Sequence, residues 1–449
     1  APRPEHSGPP LMDALATQVA AVLRRHAARD QHLLVGLSGG IDSVVLLHVL
    51  ARGLRWPPSR LSAIHVNHQL SPNAARWAAF CGRLCGRLGV PLHVRQVEVR
   101  RGNSTEAAAR DARYRAYSGL QSDRVVLAHN RDDQAETLLL QLLRGGGPRG
   151  LAAMGVMRPA TAAMPAVLRP LLEVPRIEIE RYARRHRLKW VEDESNADRA
   201  YLRNFLRHDV LPLLESRLPG SGATLARAAR HQAEASGLLD VLAQRDLGQL
   251  APGKALPVGK LARLEPARAR NALRWFLRLN DVTMPDADRL EEALRQSVAA
   301  RRDAQVCVDL GGVELRRFRD TLCLVRPLPP LSPDWKVVWD GGVLPLPGLG
   351  GTLKLVRRKG RGIAAHWLQG RALTVRVRRG GESLRPQAGG RARTVRNLLQ
   401  EAALPPWTRE RLPFIWLDDR LVAVPGLGIA AEYQVRRTAM GLCPEWEWN

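Results

Sequence analysis

The stretch Ser38-Gly39-Gly40-Ile41-Asp42-Ser43 separates an apolar run, HLLVGL at 32–37, from a segment with helical periodicity at 41–50. A short apolar run that ends at glycines is typical of a buried β-strand. The two glycines allow a tight turn, and successive N–H groups at the start of a helix form a site for an anion. Ser38 and Ser43 add hydroxyl donors. The sequence therefore predicts a strand, a phosphate-binding loop and a helix in succession.

Strand and helix patterns alternate on both sides of this loop. Further strands are predicted at 61–66, 92–99 and 124–128, and further helices at 12–29, 77–88, 105–120 and 132–143. Parallel strands need crossover connections, which are usually helices that cover the sheet. The alternation therefore predicts an α/β unit with a parallel sheet and helices on both faces.

The pattern changes after this unit. Ala, Leu and Arg recur with helical spacing from about 220 to 300, a hairpin is predicted over 305–326 with Gly311-Gly312 at its turn, and PLPPLSP at 327–333 is a candidate linker. Short strand-like runs follow to the end of the chain. We predict three domains: an α/β catalytic domain (1–217), a helical middle domain (218–328) and a small β-rich α+β domain (335–449).

The charge balance points to a polyanionic partner. The chain has 69 Lys and Arg residues against 43 Asp and Glu residues, a net charge of +26. Such an excess favours nucleic acid or an anionic membrane surface as the partner. No apolar run approaches the roughly 18 residues of a membrane span, and residues 1–10 lack the apolar core of a secretory signal. We therefore expect a soluble cytoplasmic protein that binds no membrane. The five widely spaced cysteines argue against a disulfide framework.

Three carboxylates cluster at the start of the predicted helix 132–143. Glu136 follows Asp132 by four residues and Asp133 by three, so the carboxylates can share one face of the first turns. The helix dipole explains acidic residues at the first two positions but not at Glu136. Three carboxylates beside a phosphate loop require cations, either Mg²⁺ or an ammonium ligand. Asp42 would repel a bare phosphate, so its place in the loop also indicates Mg²⁺.

The loop resembles that of PP-loop ATP pyrophosphatases, which have a Rossmann-like fold and adenylate a carbonyl oxygen before a nucleophile attacks. The segment AHNRDDQAET at 128–137 closely resembles a motif of one branch, the tRNA(Ile)-lysidine synthetase family. Five further segments are similar to that family: HVNHQL (65–70), EAAARDARY (106–114), RPLL (169–172), EDESNAD (192–198) and YLRNFLR (201–207). The arginine-rich stretch 378–409 is similar to its C-terminal tRNA-binding domain.

The resemblance implies a reaction. An ATP-dependent ligase would adenylate O2 of the wobble cytidine of a minor isoleucine tRNA. The lysine ε-amino group would then attack C2, giving lysidine, AMP and pyrophosphate. ATP and Mg²⁺ are the implied cofactors, and tRNA(Ile) with a CAU anticodon and free L-lysine are the implied partners. Whether the protein forms a homodimer stays open.

The resemblance also assigns roles to residues. The residues assigned to ATP are Ser38, Gly39, Gly40, Asp42, Ser43, His65, Arg110 and His129. The residues assigned to catalysis are Asp42, Arg113, Asp133 and Glu136. Asp133 and Glu136 are assigned to lysine, and Asp42 is the candidate ligand of Mg²⁺. The residues assigned to tRNA are Arg203, Arg207, Arg379, Arg385, Arg393 and Arg396. Which of Arg110 and Arg113 contacts ATP stays open.

Three other functions compete with this assignment. A tRNA thiolase of the same superfamily would need a reactive cysteine near the loop, often in C-x-x-C, whereas Cys81 and Cys85 form C-x3-C. A non-enzymatic basic RNA-binding module would leave the phosphate loop and the acidic helix unexplained. An amidotransferase such as GMP synthetase would require a glutaminase domain, and the sequence contains no recognisable one.

Overall fold

The computed structural model describes residues 13–69, 71–98, 105–161, 165–301, 304–332, 334–369 and 371–448. It divides into two compact units, Ala1–Val241 and Leu242–Asn449. Parts of several predictions lie outside the described residues: the N-terminal segment 1–12, Leu70, the strand end at 99 and Pro333. Among the described residues, no helix has the length and hydrophobicity that crossing a membrane requires.

A six-stranded sheet forms the centre of the first unit. Its strands are β1 (Leu33–Gly36), β2 (Leu61–Asn67), β3 (Leu92–Gln96), β4 (Arg124–Val126), β5 (Met157–Arg158) and β6 (Val167–Leu168). The order is β3-β2-β1-β4-β6-β5, and all neighbours are parallel except β5, which is antiparallel to β6. The sequence did not predict β5 and β6, because two residues are too few to show a period.

Helices cover both faces of this sheet, as predicted. The helices of the first unit and its boundary are α1 (Ala14–His26), α2 (Ile41–His48), α3 (Ala74–Leu88), α4 (Thr105–Ser118), α5 (Arg131–Leu143), α6 (Pro148–Leu151), α7 (Arg176–Arg185), α8 (Leu202–Phe205), α9 (Leu211–Arg217) and α10 (Ser221–Leu247). Leu33 and Val35 of β1 belong to a core with α1, α2, α3 and α7. Leu34 faces the opposite side, in a core with Tyr114 and Tyr117 of α4. The α/β fold class is therefore confirmed.

The strand order determines where a ligand can bind. β1 lies between β2 and β4 in the sheet. The chain passes from β1 through α2 to β2 on one side, and it reaches β4 on the other side only after α3, β3 and α4. In open parallel sheets such a reversal leaves a crevice at the carboxyl ends of the two strands. The segments that follow β1 and β4 lead into α2 and α5, so both helix N-termini lie at this crevice.

The first half of the second unit combines helices with a small antiparallel sheet. Its elements are β7 (Leu256–Pro257), α11 (Val258–Ala262), α12 (Pro266–Leu279), α13 (Ala287–Ala299), β8 (Cys307–Asp309), β9 (Glu314–Phe318) and β10 (Thr321–Val325). The predicted hairpin over 305–326 is therefore three strands, with Gly311 and Gly312 at the first turn at φ +86° and +94°. The sequence missed the second turn, Arg319-Asp320, because it contains no glycine.

The remainder of the second unit is β-rich, as predicted. Its elements are β11 (Lys336–Trp339), β12 (Leu344–Leu346), β13 (Gly351–Lys359), β14 (Leu373–Arg376), β15 (Ser383–Leu384), β16 (Arg393–Thr394), α14 (Val395–Glu401), α15 (Pro406–Arg409), β17 (Phe414–Leu417), β18 (Arg420–Val424), β19 (Gly428–Ile429) and β20 (Met440–Trp448). The sheets have the orders β11-β14-β17-β18-β19, β12-β13-β20 and β15-β16. Trp339 and Phe414 are fully buried in their common core.

The close approach of β13 and β20 predicts the effect of one substitution. A Cβ atom at Gly351 would overlap the carbonyl oxygen of Glu447 and the ring of Trp446. We expect Gly351→Ala to lower the free energy of unfolding by about 1–3 kcal/mol, the usual cost of overpacking. Thermal unfolding of the full chain measures this loss. Gly259→Ala, where a Cβ meets nothing within 4 Å, is the control, and equal melting temperatures for the two variants would contradict the strand contact.

Candidate active site

The loop after β1 is closed by its own serines. The Gly40 N–H donates to Ser38 Oγ at 3.2 Å, and the Gly39 N–H donates to Ser43 Oγ at 3.2 Å. Ser43 Oγ in turn donates to the Gly40 carbonyl oxygen at 2.9 Å. The turn is therefore preformed, and the amides that bind hydroxyl oxygens here can exchange them for the oxygens of a phosphate.

Gly39 permits the close packing of this loop. Its φ is +94°, a conformation that favours glycine. A Cβ at this position would lie 2.8 Å from Val191 Cγ2 and 3.3 Å from Cys81 Sγ. The Val191 N–H donates to the Gly39 carbonyl oxygen at 3.0 Å, so the segment after α7 packs against the loop.

Asn130 joins the two helix N-termini. Its side-chain oxygen accepts from the N–H groups of Asp132 and Asp133, and the Asp133 carboxylate accepts from the Asn130 N–H at 2.9 Å, so α5 begins with a capping box. Its side-chain amide also donates to Asp42 Oδ1 at 3.1 Å. Sequence reasoning did not select Asn130. The cap could have been recognised from Asn130 and Asp133, three residues apart, but the contact with Asp42 could not.

Arg176 is a second residue that the sequence analysis missed. It starts α7, and its Nη1 lies 3.2 Å from Asp42 Oδ2 while its Nε lies 3.3 Å from Glu180 Oε1. Burial raises the pKa of Asp42, although Arg176 favours its charged form. The i,i+4 pairing with Glu180 is visible in the sequence. The contact with Asp42 joins residues 134 positions apart, and no local pattern signals it.

Asp133 and Glu136 are bound by two arginines. The Nε atoms of Arg203 and Arg207 donate to the two oxygens of Glu136 at 2.8 and 2.5 Å. The Nη2 atoms of both arginines donate to Asp133 Oδ1 at 3.0 Å. We call these four residues the charge cluster. The structure thus brings together residues that the sequence analysis assigned separately to lysine and to tRNA.

The carboxylates of the charge cluster are buried, and its two acidic side chains are balanced by two basic ones. The side chain of Glu136 is 1% exposed, and those of Arg203 and Arg207 are 26% and 32% exposed. Burial alone would raise the pKa of Asp133, but Arg203 and the other hydrogen-bond and charge partners hold it below its ordinary value. Burial lowers the pKa of His129 to about 3, so this imidazole is neutral at pH 7. The Nδ1 atom of His129 is buried and has no hydrogen-bond partner among the residues that the structure describes.

The other residues assigned to ATP lie on β2 and α4. His65 Nδ1 is 2.9 Å from the carbonyl oxygen of Leu37, directly before the phosphate loop, and burial lowers the pKa of this imidazole. Arg113 is exposed, and its Nη2 lies 3.5 Å from His68 Nε2. Arg110 is exposed, with its guanidinium 5.6 Å from the centre of the Tyr114 ring. Of these three residues, His65 contacts the chain directly before the phosphate loop.

The four arginines assigned to tRNA in the second unit differ in their partners. Arg379 pairs with Asp334 at 2.7 Å, and Arg393 pairs with Glu401. Arg385 and Arg396 are exposed, and neither has an ion-pair partner among the described residues. These last two side chains are available to contact a polyanion without breaking an existing pair.

The two cysteines of the first unit, Cys81 and Cys85, are poor nucleophiles. Cys81 and Cys85 are both buried, and burial raises the pKa of their thiols to about 12 and about 11. A thiolate is the reactive form of cysteine, so neither side chain is suited to carry sulfur. This environment weighs against the thiolase alternative.

The parallel sheet, the glycine loop after β1 and the acidic helix after β4 define a PP-loop ATP-binding domain. Sequence models of three domain families match the chain. The one described as a PP-loop domain matches 12–214, the one described as a TilS substrate binding domain matches 256–323, and the one described as a TilS substrate C-terminal domain matches 373–448.

Curated relatives match nearly the whole chain. The tRNA(Ile)-lysidine synthase of Nitrosomonas europaea is 42% identical over 434 residues, which cover 94% of this chain and 93% of the relative. The tRNA(Ile)-lysidine synthase of Chromobacterium violaceum is 44% identical over 404 residues, covering 88% and 91%. That of Coxiella burnetii is 37% identical over 425 residues, covering 94% and 93%. The chain belongs to the tRNA(Ile)-lysidine synthase family.

The geometry of the loop predicts that Gly39→Ala weakens ATP binding. The added Cβ would strain the backbone at positive φ and displace Val191. A strain of about 1–3 kcal/mol in the binding conformation corresponds to an affinity loss of about 5- to 150-fold. Calorimetric titration with a non-hydrolysable ATP analogue measures this loss. Gly86→Ala, in α3 and free of contacts, should bind normally, and unchanged binding by Gly39→Ala would contradict the assignment of the loop.

Proposed function

We propose that this chain uses ATP to join free L-lysine to the wobble cytidine of tRNA(Ile) with a CAU anticodon, forming lysidine. One observation carries this proposal: the buried carboxylates of Asp133 and Glu136 begin the helix that Asn130 ties to the phosphate loop. A nucleotide in the loop and an ammonium group at the carboxylates would then be neighbours. Membership of the lysidine synthase family supports the choice of substrates.

The first step makes the cytosine oxygen a good leaving group. O2 of the base attacks the α-phosphorus of ATP, a P–O bond to the β-phosphate breaks, and pyrophosphate leaves. The N–H groups of Gly39 and Gly40 and the hydroxyls of Ser38 and Ser43 would bind the departing phosphates. Arg176, beside Asp42, offers a further positive charge at this edge. Such preorganised donors stabilise charge that develops in the transition state.

The second step forms the C–N bond. Asp133 and Glu136 would orient the ammonium of the incoming lysine, which loses a proton before its nitrogen attacks C2. The C2–O2 bond then breaks, and AMP departs with the oxygen. O2 and C2 are reached most easily in an unstacked base, so a single-stranded anticodon loop is a suitable substrate.

Asp42 fits the role of a Mg²⁺ ligand. Its Oδ1 accepts one hydrogen bond from Asn130 and its Oδ2 one from Arg176, so each oxygen retains a lone pair. Among the described residues, no group of three or more acidic, His or Cys side chains is placed to hold a metal ion. Mg²⁺ commonly uses one or two carboxylates together with substrate phosphates and water. Bound in this way, it would neutralise charge on the phosphates.

We assign residues 1–217 to catalysis, 218–328 to a helical middle domain and 335–449 to tRNA binding. The net charge of +26 favours contact with a polyanion, and the exposed Arg385 and Arg396 are suited to phosphate groups. Arg379 and Arg393 would exchange their acidic partners for phosphates.

Removal of the two carboxylates tests the lysine assignment. Asp133→Asn combined with Glu136→Gln should abolish most lysine transfer while ATP binding persists. Losing two charge-assisted contacts of about 1.5–3 kcal/mol each predicts a fall of about 100-fold or more in transfer to tRNA. The rate of labelled lysine incorporation is the measurement, and ATP-analogue titration and thermal unfolding check that the variant is folded.

The matched control for this experiment is Glu178→Gln, which makes the same carboxylate-to-amide change. The side chain of Glu178 is 42% exposed and pairs with Arg181 on the surface of α7. The Glu178→Gln variant should transfer lysine at the wild-type rate. Undiminished incorporation by the double variant would refute the role of Asp133 and Glu136.

A further inference from the structure

The charge cluster places the candidate lysine site in a closed state. Both oxygens of Glu136 accept from guanidinium groups, and Asp133 Oδ1 accepts from both arginines. The remaining oxygen, Asp133 Oδ2, accepts from the Asn130 N–H. Each carboxylate oxygen therefore already accepts a hydrogen bond, and Glu136 is inaccessible to solvent. An ammonium group that pairs with Glu136 and Asp133 Oδ1 must therefore take the place of the arginines.

We propose that Arg203 and Arg207 act as a latch, which covers the lysine carboxylates in the free enzyme and opens when phosphates of the bound tRNA attract the two guanidinium groups. This inference rests on the proposed function, because it takes lysine as the ligand of Asp133 and Glu136. It adds an order of events: tRNA binding uncovers the lysine site, so lysine binds more tightly after tRNA has bound.

The exchange of ion-pair partners is favourable only if the arginines, the phosphates and the lysine ammonium all change partners together. An arginine that left alone would leave two buried carboxylates with a single guanidinium group, and a buried charge that is not balanced is strongly unfavourable. A lysine that entered beside both arginines would bring like charges together. If the guanidinium groups move to phosphates while the ammonium enters between Asp133 and Glu136, the arginines keep anionic partners and the two carboxylates share one cation instead of having none. Arginine is suited to this movement because it binds carboxylates and phosphates with the same planar donor geometry.

The segment that carries the arginines is weakly anchored by apolar packing. Within 201–207 only Leu206 is buried, whereas Tyr201, Leu202 and Phe205 are 42–44% exposed. α8 has four residues, and a π-helical turn, Leu206–Val210, follows it. Segments with few buried contacts open at low cost in free energy. The ion pairs of Arg203 and Arg207 with α5 therefore contribute much of what holds the segment 201–207 over the carboxylates.

The exposed face of the same segment suits an RNA partner. Tyr201 and Phe205 present aromatic side chains to solvent, four residues apart and next to the two arginines. Aromatic side chains stack with unpaired bases, which is a common mode of single-stranded RNA recognition. Contact of an anticodon loop with this face would bring its phosphates close to Arg203 and Arg207.

Lysine binding with and without tRNA tests the latch in the unmodified enzyme. The full chain is dialysed against ¹⁴C-lysine together with an ATP analogue that cannot be cleaved between the α- and β-phosphates, so that no turnover occurs. We expect saturating tRNA(Ile) to tighten lysine binding by about tenfold or more, within the usual range of coupling between sites. Linkage requires lysine to tighten tRNA binding by the same factor. This reciprocal measurement needs no substitution.

Arg203→Gln tests whether the arginines cause the coupling. It removes one guanidinium from Glu136 and Asp133, so lysine binding without tRNA should strengthen, and saturating tRNA should then change it by less than about threefold. Arg181→Gln is the control, since Arg181 forms an exposed pair with Glu178, and it should keep the wild-type coupling. Thermal unfolding shows whether Arg203→Gln is folded, and the reciprocal experiment on the unmodified enzyme stands independently of it.

The possible results separate the latch from the proposed function. Equal lysine affinity with and without tRNA, in an enzyme that still incorporates lysine, would overturn the latch and leave the reaction intact. Wild-type coupling in folded Arg203→Gln would overturn the assignment to this arginine pair. Absence of lysine incorporation under any condition would refute the proposed function instead.

Discussion

Charge balance at one edge of the parallel sheet constrains the whole catalytic unit. The parallel pairing of β1 with β4 sets the N-termini of α2 and α5 side by side, and both helices bring carboxylates to that edge. Helix dipoles favour acidic side chains there, but buried carboxylates also require cations. Arg176, Arg203 and Arg207 provide them from the later helices of the same unit. The segment after the sheet is therefore folded back onto the site by ion pairs as well as by apolar packing.

The same constraint connects the resting structure to the proposed chemistry. A site that is neutral without substrates cannot accept a cation or an anion alone without creating an unpaired charge. In the proposed reaction, ATP would add negative charge at the loop, tRNA would add phosphates near α8, and lysine would add an ammonium at α5. These charges complement groups that the protein already holds in pairs. Binding in this unit is thus best understood as an exchange of ion-pair partners rather than the filling of an empty cavity.

Local sequence patterns predicted the parts of the structure that depend on neighbouring residues. The strand before Ser38, the glycine loop and the helix that follows were predictable because periodicity and glycine conformations act over a few residues. The same is true of α5, whose acidic first turn lies within one segment. The predicted sheet, the β-rich C-terminal part and the family were all confirmed. The predicted domain boundaries and residue roles stay predictions.

The contacts that shape the site could not be predicted in this way. The pairing of Glu136 with Arg203 spans 67 positions, and that of Asp42 with Arg176 spans 134. Sequence reasoning therefore assigned the carboxylates and arginines to different ligands and had no means to show that they bind each other. The predicted hairpin over 305–326 became three strands for a related reason, because the turn at Arg319 uses a positive φ without a glycine.

The most direct test of the account is the identity of the reaction product. The purified chain is incubated with ATP, Mg²⁺, ¹⁴C-lysine and bulk bacterial tRNA, and the tRNA is then digested to nucleosides for mass spectrometry. The account predicts that the label is recovered in a modified cytidine whose added mass is that of lysine joined with loss of water. Pyrophosphate release that depends on tRNA but leaves no label in any nucleoside would contradict it, because the adenylating site would then serve a different nucleophile.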